Sequence, residues 1–112
     1  MTHYLFIFGY ETPSMVKSNQ KQDSDYEDSQ AVFIESTSKE LAFQYGRVIA
    51  NKFLQVLFEN EAAKPNVDDY AHWIEESPRN TYQIDVLNSI ARVHEGDDET
   101  VSRVVAAWAR NT

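Results

Sequence analysis

A strand–helix unit at residues 31–60 constrains the fold more than any other stretch of this sequence. Residues 31–34 form an apolar run of branched and aromatic side chains, which favours the pleated surface of a β-strand. Thr37 and Glu40 have the spacing of a capping box, in which two side chains satisfy free backbone donors at a helix start. Residues 41–57 then place apolar side chains over one broad arc. An arc this wide predicts a helix that packs on a sheet and also contacts a second helix.

The glycine within this helix, Gly46, lies inside the apolar arc. It either allows the backbone to approach a neighbour closely or marks a kink. Before the helix, residues 4–8 are apolar at every position, which is typical of a central strand covered on both faces. Gly9 and Pro13 are expected to end that strand. Residues 11–30 are polar and predict a long loop, in which a short helix could start at Pro13 or Ser14.

The second half of the chain predicts shorter elements. Residues 67–76 are expected to form a short helix with Tyr70, Trp73 and Ile74 on one face. Residues 81–95 fit either a strand or a helix, and we favour a short helix through Leu87 followed by a strand around residues 89–94. A last helix is capped by Asp97. Its apolar stripe consists of Val101, Val104, Val105, Trp108 and Ala109.

These elements predict a single α+β domain over residues 1–112. We expect a small mixed sheet of three or four strands, packed by the long helix and the C-terminal helix. The strand and helix at residues 31–60 could be connected by a right-handed crossover to a parallel strand near residues 89–94.

The acidic residues are unevenly distributed along the chain. The net charge is −8, yet residues 23–28, 59–76 and 95–99 together carry −13 and the remainder carries +5. All three segments flank or join predicted elements, so they are expected to form acidic loops at the ends of the sheet. Acidic surfaces repel nucleic acid and anionic membranes, and they attract basic proteins.

Composition excludes several other classes. The chain has no cysteine, which removes disulfides, thiolate metal sites and thiol catalysis. Residues 2–3 provide no charged start for a signal peptide, and the apolar run at residues 4–10 is too short to span a bilayer. A cytoplasmic protein is therefore expected.

Two acidic patterns share some features with metal sites. Asp23, Asp25 and Glu27 match the start of a calcium loop, but Asp28 and Ile34 occupy the places of its glycine and its bidentate glutamate. Asp68, His72 and Glu76 would share one face of the short helix, although one surface helix alone makes a weak metal site. The sequence also lacks a phosphate loop and a nucleophile elbow. We therefore predict no metal, no cofactor and no enzymatic activity.

In size, acidity, lack of cysteine and mixed αβ pattern, the chain resembles the small cytoplasmic immunity proteins of bacterial toxin systems, such as those of contact-dependent inhibition. The resemblance extends over the whole chain and involves no specific motif. It implies a basic protein partner, for example a nuclease toxin whose substrate-binding face would be covered. From the acidity alone, an accessory or structural domain without a dedicated partner remains an alternative, as does a small enzyme or metal-binding domain.

The candidate partner-binding residues lie in the three acidic segments. Tyr26 stands among four acids, and tyrosine is a favoured anchor residue in protein interfaces. The candidates are Asp23, Asp25, Tyr26, Glu27, Asp28, Asp68, Asp69, Glu75, Glu76, Asp97 and Asp98.

Overall fold

A mixed four-stranded sheet organises the computed structural model, which describes residues 2–112. The strands are β1 (Thr2–Tyr10), β2 (Asp28–Ser36), β3 (His72–Glu75) and β4 (Arg92–His94), and the helices are α1 (Pro13–Gln22), α2 (Lys39–Leu57), α3 (Ile84–Asn88) and α4 (Asp98–Arg110), with 3-10 turns at Val67–Asp69 and Pro78–Asn80. The predicted α+β class, with the sheet packed by α2 and α4, is confirmed.

The sheet order is β3-β1-β2-β4. β1 is antiparallel to both of its neighbours, whereas β4 runs parallel to β2. β1 is thus the central strand that its continuous apolar run predicts. It does not end at Gly9, because Gly9 still pairs with Ser29 and the ladder continues to Tyr10.

One side of the sheet, here called the helix face, is covered by α2 and α4. Phe6, Phe8 and other alternate residues of β1 and β2 pack there against both helices. Gly46 is required at this contact, because a Cβ atom at its position would overlap the ring of Phe6. Of the two interpretations of Gly46, close backbone approach is therefore correct.

Two details of α2 differ from the sequence prediction. Ser38 rather than Thr37 caps the helix, since its hydroxyl accepts a 3.1 Å hydrogen bond from the amide of Leu41. The two residues have similar capping chemistry, and the chain enters the helix one residue later. The apolar arc is also wider than the buried surface, because Leu41, Val48 and Val56 are exposed.

Residues 67–76 do not form the predicted helix. A 3-10 turn ends at Asp69, and residues 72–75 pair with β1 as the edge strand β3. The expected helical face is consequently wrong: Ile74 packs on the helix face, whereas Trp73 lies on the opposite side of the sheet, opposite Ile7. A short isolated helix is only marginally stable because its nucleation is costly, whereas pairing with β1 adds these residues to an existing sheet.

The polar stretch at residues 11–30 is not one long loop. Most of it forms α1, which starts at Pro13 as one of the two proposed helix starts. Thr12 caps this helix, because its hydroxyl accepts a hydrogen bond from the amide of Met15 at 3.1 Å. The last three residues of the stretch belong to β2.

On the other side of the sheet, here called the open face, residues 78–91 provide the cover among the residues that the structure describes. Leu87 of α3 packs there with Leu5, Ile7 and Phe33. The favoured interpretation of this region, a short helix followed by a strand, is confirmed by α3 and β4.

Candidate partner-binding surface

The loop at residues 23–28, here called the acidic loop, is attached to the domain by the buried side chain of Asn19. The Asn19 amide nitrogen donates to the carboxylate of Glu11 and to the backbone carbonyl of Tyr26, both at 2.7 Å. Its amide oxygen accepts from the Ser24 hydroxyl at 2.9 Å and from the Tyr26 amide at 3.2 Å. One buried side chain thus fixes the backbone of Tyr26 on both sides.

The side chain of Tyr26 points away from the domain. It is 68% exposed, more than any other large hydrophobic side chain among residues 2–112. The four acids that flank it in the sequence, Asp23, Asp25, Glu27 and Asp28, are also exposed. Asp23 ends α1 in the left-handed conformation, with φ 52°, which turns the chain sharply into the loop.

A second acidic segment contributes to the same end of the sheet. Asp69 lines a depression of about 360 Å³ together with Glu11 and Glu27. The carboxylate of Glu27 lies over Gly9, where a Cβ atom would come within 2.7 Å of it. Three carboxylates from separate parts of the chain therefore surround one concave surface next to the acidic loop.

The hydroxyl of Tyr70 forms part of this depression. It donates a hydrogen bond to Glu11 at 3.3 Å. Burial, followed by the negative charge and the hydrogen bond of Glu11, raises the pKa of Tyr70 to about 12. The phenol is the donor in this hydrogen bond, and the Glu11 carboxylate is the acceptor.

Asp68, the neighbour of Asp69, is already paired within the protein. Both of its carboxylate oxygens accept from the same guanidinium nitrogen of Arg47, at 2.7 and 2.8 Å. His72 lies 3.9 Å away. The helical face that Asp68, His72 and Glu76 were expected to share does not form, since Glu76 lies beyond the far end of β3 and pairs with Lys39 at 3.4 Å.

β3 carries Glu75 and Glu76 away from the acidic loop. β3 places His72 opposite Phe8 and Glu75 opposite Leu5, so Glu75 lies beside the middle of β1 and Glu76 lies one residue closer to the end where β1 begins. Within residues 2–112, one carboxylate oxygen of Glu75 is buried without a hydrogen-bond partner. Burial and the nearby Glu75 together raise the pKa of Tyr82.

Asp97 and Asp98 also lie at that far end, because β4 runs parallel to β2 and α4 starts just after it. Asp97 caps α4, as predicted, accepting from the hydroxyl and the amide of Thr100 at 2.6 and 3.2 Å. These hydrogen bonds lower the pKa of Asp97. Asp98 accepts from the Tyr45 hydroxyl at 3.1 Å and lies 3.7 Å from Lys52. Burial, followed by the hydrogen bond to Asp98, raises the pKa of Tyr45 to about 12.

The structure therefore brings some of the candidate residues together and separates others. The acidic loop and Asp69 meet at one end of the sheet. Asp68 is paired with Arg47, Glu75 lies beside the middle of β1, and Glu76, Asp97 and Asp98 lie toward the other end and serve internal contacts. Sequence reasoning missed Glu11 and Asn19. The position of Asn19 inside a polar helix gives no local signal of burial.

A cluster of imidazole and carboxylate groups at the far end was also missed. Glu35 lies 3.3 Å from His3 and 3.9 Å from His94, because β2 pairs with β1 on one side and β4 on the other. Within the described part of the chain, no group of three or more histidine, aspartate or glutamate side chains could hold a metal ion.

Comparison with known proteins finds no matching family model, no similar curated protein and no similar solved structure. Among residues 2–112, none of the helices has the length and apolar character needed to cross a bilayer.

Proposed function

We propose that this chain is an acidic protein-binding domain of the immunity or inhibitor type, which sequesters a basic partner such as a toxin or nuclease. The observation that carries the proposal is the exposed ring of Tyr26, held within four carboxylates by a backbone that buried Asn19 fixes. The acidic loop and the depression beside it together form the partner-binding surface.

The fixed backbone favours binding because less conformational freedom is lost on association. Tyrosine supplies a large contact area with few rotatable bonds, and such aromatic side chains are frequent hot spots. The surrounding carboxylates would attract a basic partner during its approach and disfavour acidic competitors. The ring and the charges thus have separate roles, in affinity and in association rate.

The depression next to the loop extends the same surface. Glu11, Glu27 and Asp69 line it, and an arginine or lysine of the partner could pair there with more than one carboxylate. Glu11 is oriented by hydrogen bonds from Asn19 and Tyr70. A preoriented carboxylate requires little rearrangement to accept an incoming cation.

The proposal is tested with the basic protein that co-purifies with the chain from its own host. Tyr26→Ala should raise the dissociation constant of that complex about fivefold or more, as expected for a central anchor. The melting temperature of the free Tyr26→Ala variant should match that of the free wild-type protein, because the ring makes little contact with the core. Leu41→Ala is the control, since Leu41 is an exposed apolar residue at the other end of the molecule. A lower melting temperature with unchanged affinity for Tyr26→Ala would refute the assignment.

Association rates test the charges separately. Stopped-flow rates should fall steeply as salt rises, because exposed charges are screened beyond about 8–10 Å at physiological ionic strength. Asp25→Lys should reduce the rate more than Asp85→Lys, which makes the same charge change on α3. Rates that stay flat with salt, or equal losses in the two variants, would contradict steering by the acidic loop.

A further inference from the structure

The open face carries a pocket that differs in charge from the rest of this acidic protein. Its volume is about 450 Å³, and it lies between the start of β1 and residues 76–92. Buried Phe33 and Leu87 form its apolar floor. Two arginines, Arg79 and Arg92, line its walls, so we call it the arginine pocket.

Neither arginine forms an ion pair with a carboxylate among the described residues. Within residues 2–112, no carboxylate lies within 4.0 Å of the guanidinium of Arg79 or Arg92, although Arg47, Lys39 and Lys52 all have such partners. In a chain of net charge −8, carboxylates are plentiful. Two arginines that share one concavity and lack a carboxylate partner therefore leave their donors free for a ligand.

The position of Arg92 is defined by the floor of the pocket. Its guanidinium carbon lies 4.5 Å from the centre of the Phe33 ring, a stacking contact that limits the movement of the side chain. Stacking on an aromatic face leaves the planar edge of the guanidinium available for hydrogen bonding. That edge carries paired N–H groups whose spacing matches two oxygens of a carboxylate or phosphate.

The remaining polar lining is mostly uncharged. The side chains of Asn80 and Asn88 add amide donors around the two arginines. Among the described residues, Glu76 is the one acidic side chain in the lining. It lies 3.4 Å from the Lys39 ammonium, so its charge is partly compensated. His3 also borders the pocket and lies 3.3 Å from Glu35.

We propose that the arginine pocket binds a small organic oxyanion, a carboxylate or phosphate monoester attached to an apolar or aromatic body. The oxyanion would face Arg79 and Arg92, and the body would lie on Phe33 and Leu87. The pocket is large enough for a small ligand of this kind. The net negative charge of the protein opposes entry, but distant charges are screened beyond about 8 Å at physiological salt. This inference is independent of the proposed function, since the acidic loop lies at the opposite end of the sheet.

Titration of the uniformly ¹⁵N-labelled protein tests the inference at constant ionic strength. The probes are phenyl phosphate, phenylacetate and the neutral 2-phenylethanol. An anionic probe should cause saturable shifts of the amides of Arg79, Asn80, Asn88 and Arg92, and the alcohol should not. A response to phenyl phosphate alone, phenylacetate alone or both supports the pocket and identifies its oxyanion. No saturable shift for either anion, or equal shifts with the alcohol, overturns it.

Charge variants provide the matched control. Arg79→Gln and Arg92→Gln should each weaken binding of the anion roughly tenfold or more, because each removes a charge-assisted hydrogen-bond donor. Arg103→Gln, on α4 beside Glu99, makes the same charge change elsewhere and should leave binding unchanged. Glu76→Gln should tighten binding, since it removes the only carboxylate that lines the pocket among the described residues. Equal losses for Arg103→Gln and the two pocket variants would refute the assignment. The absence of a gain for Glu76→Gln would also refute it, and that measurement does not depend on the folding of the arginine variants.

Discussion

The two faces of the sheet differ in how completely they are covered. On the helix face, α2 and α4 bury a continuous set of aromatic and aliphatic side chains. Phe53 lies at the centre of this set. The centroid of its ring is 4.9 Å from that of Tyr10 and 5.5 Å from that of Trp108, and both pairs are edge-to-face. This face contains the packing expected to dominate the stability of the domain.

The open face is covered by short elements and leaves apolar surface accessible. Its buried cluster is small, and Trp73, Ile84 and Val86 are exposed around it. A groove of about 440 Å³ runs past Trp73 and Val86, in addition to the arginine pocket. One well-packed face can stabilise the fold and leave the second face free to carry concave surfaces. The comparison therefore predicts that equivalent substitutions have unequal costs on the two faces.

The largest effect is expected for Phe53→Ala on the helix face. It should lower the free energy of unfolding by about 3–5 kcal/mol, because the ring is fully buried and its removal leaves a cavity. Gln55→Ala, two residues along the same helix and exposed, should change stability by no more than about 0.5 kcal/mol. Urea melts of both variants give the two values. Similar costs would show that the helix face is not the main source of stability.

Two leucines of nearly equal burial compare the faces directly. Leu54 of α2 is 0% exposed and Leu87 of α3 is 2% exposed. Leucine-to-alanine changes in cores cost about 2–5 kcal/mol, depending on how far the site can collapse. Leu54 should lie near the upper end, because two long helices and the sheet hold its surroundings. Leu87→Ala should lie near the lower end, since its short helix can move inwards.

The measurement is chemical denaturation of both leucine variants under the same conditions. A Leu87→Ala variant that costs as much as Leu54→Ala would show that residues 78–91 are held as rigidly as α2. Hydrogen exchange of the wild type provides a second readout, because local opening is expected to require less free energy where few buried contacts hold a segment.

The sequence predicts the long helices α2 and α4 better than the edge strand β3, and the reason is the range of the interactions. The apolar patterns of α2 and α4 extend over many consecutive residues and depend on the local sequence. Both helices and the Asp97 cap can therefore be predicted from the sequence. β3 has only four residues, and its conformation depends on pairing with β1 from far along the chain. Residues 70, 73 and 74 therefore mimic a helical face that does not exist.

The candidate site shows the same limit. The acids of residues 23–28 are adjacent in sequence, and their exposure could be expected from composition. Asp69 lies near these acids, and Asp97 lies far from them, because of the directions in which the strands run. Sequence spacing does not give those directions. The free arginines of the arginine pocket depend on which carboxylates lie nearby, which sequence spacing does not give.

The smallest effect is expected for Val86→Ala on the open face. Val86 is 49% exposed, whereas Val105 of α4 is 3% exposed. Each change removes two methyl groups, for which full burial stabilises by about 1.6 kcal/mol in total, and alanine is the better helix former by about 0.5 kcal/mol. At half burial these terms nearly cancel, so Val86→Ala should lie within about 0.5 kcal/mol of the wild type. Val105→Ala adds a cavity to the full loss of burial and should cost about 1–2 kcal/mol. Urea melts provide the measurement. A greater loss of unfolding free energy for Val86→Ala than for Val105→Ala would contradict the prediction. It would mean that residues 78–91 close the apolar groove beside Trp73 in solution.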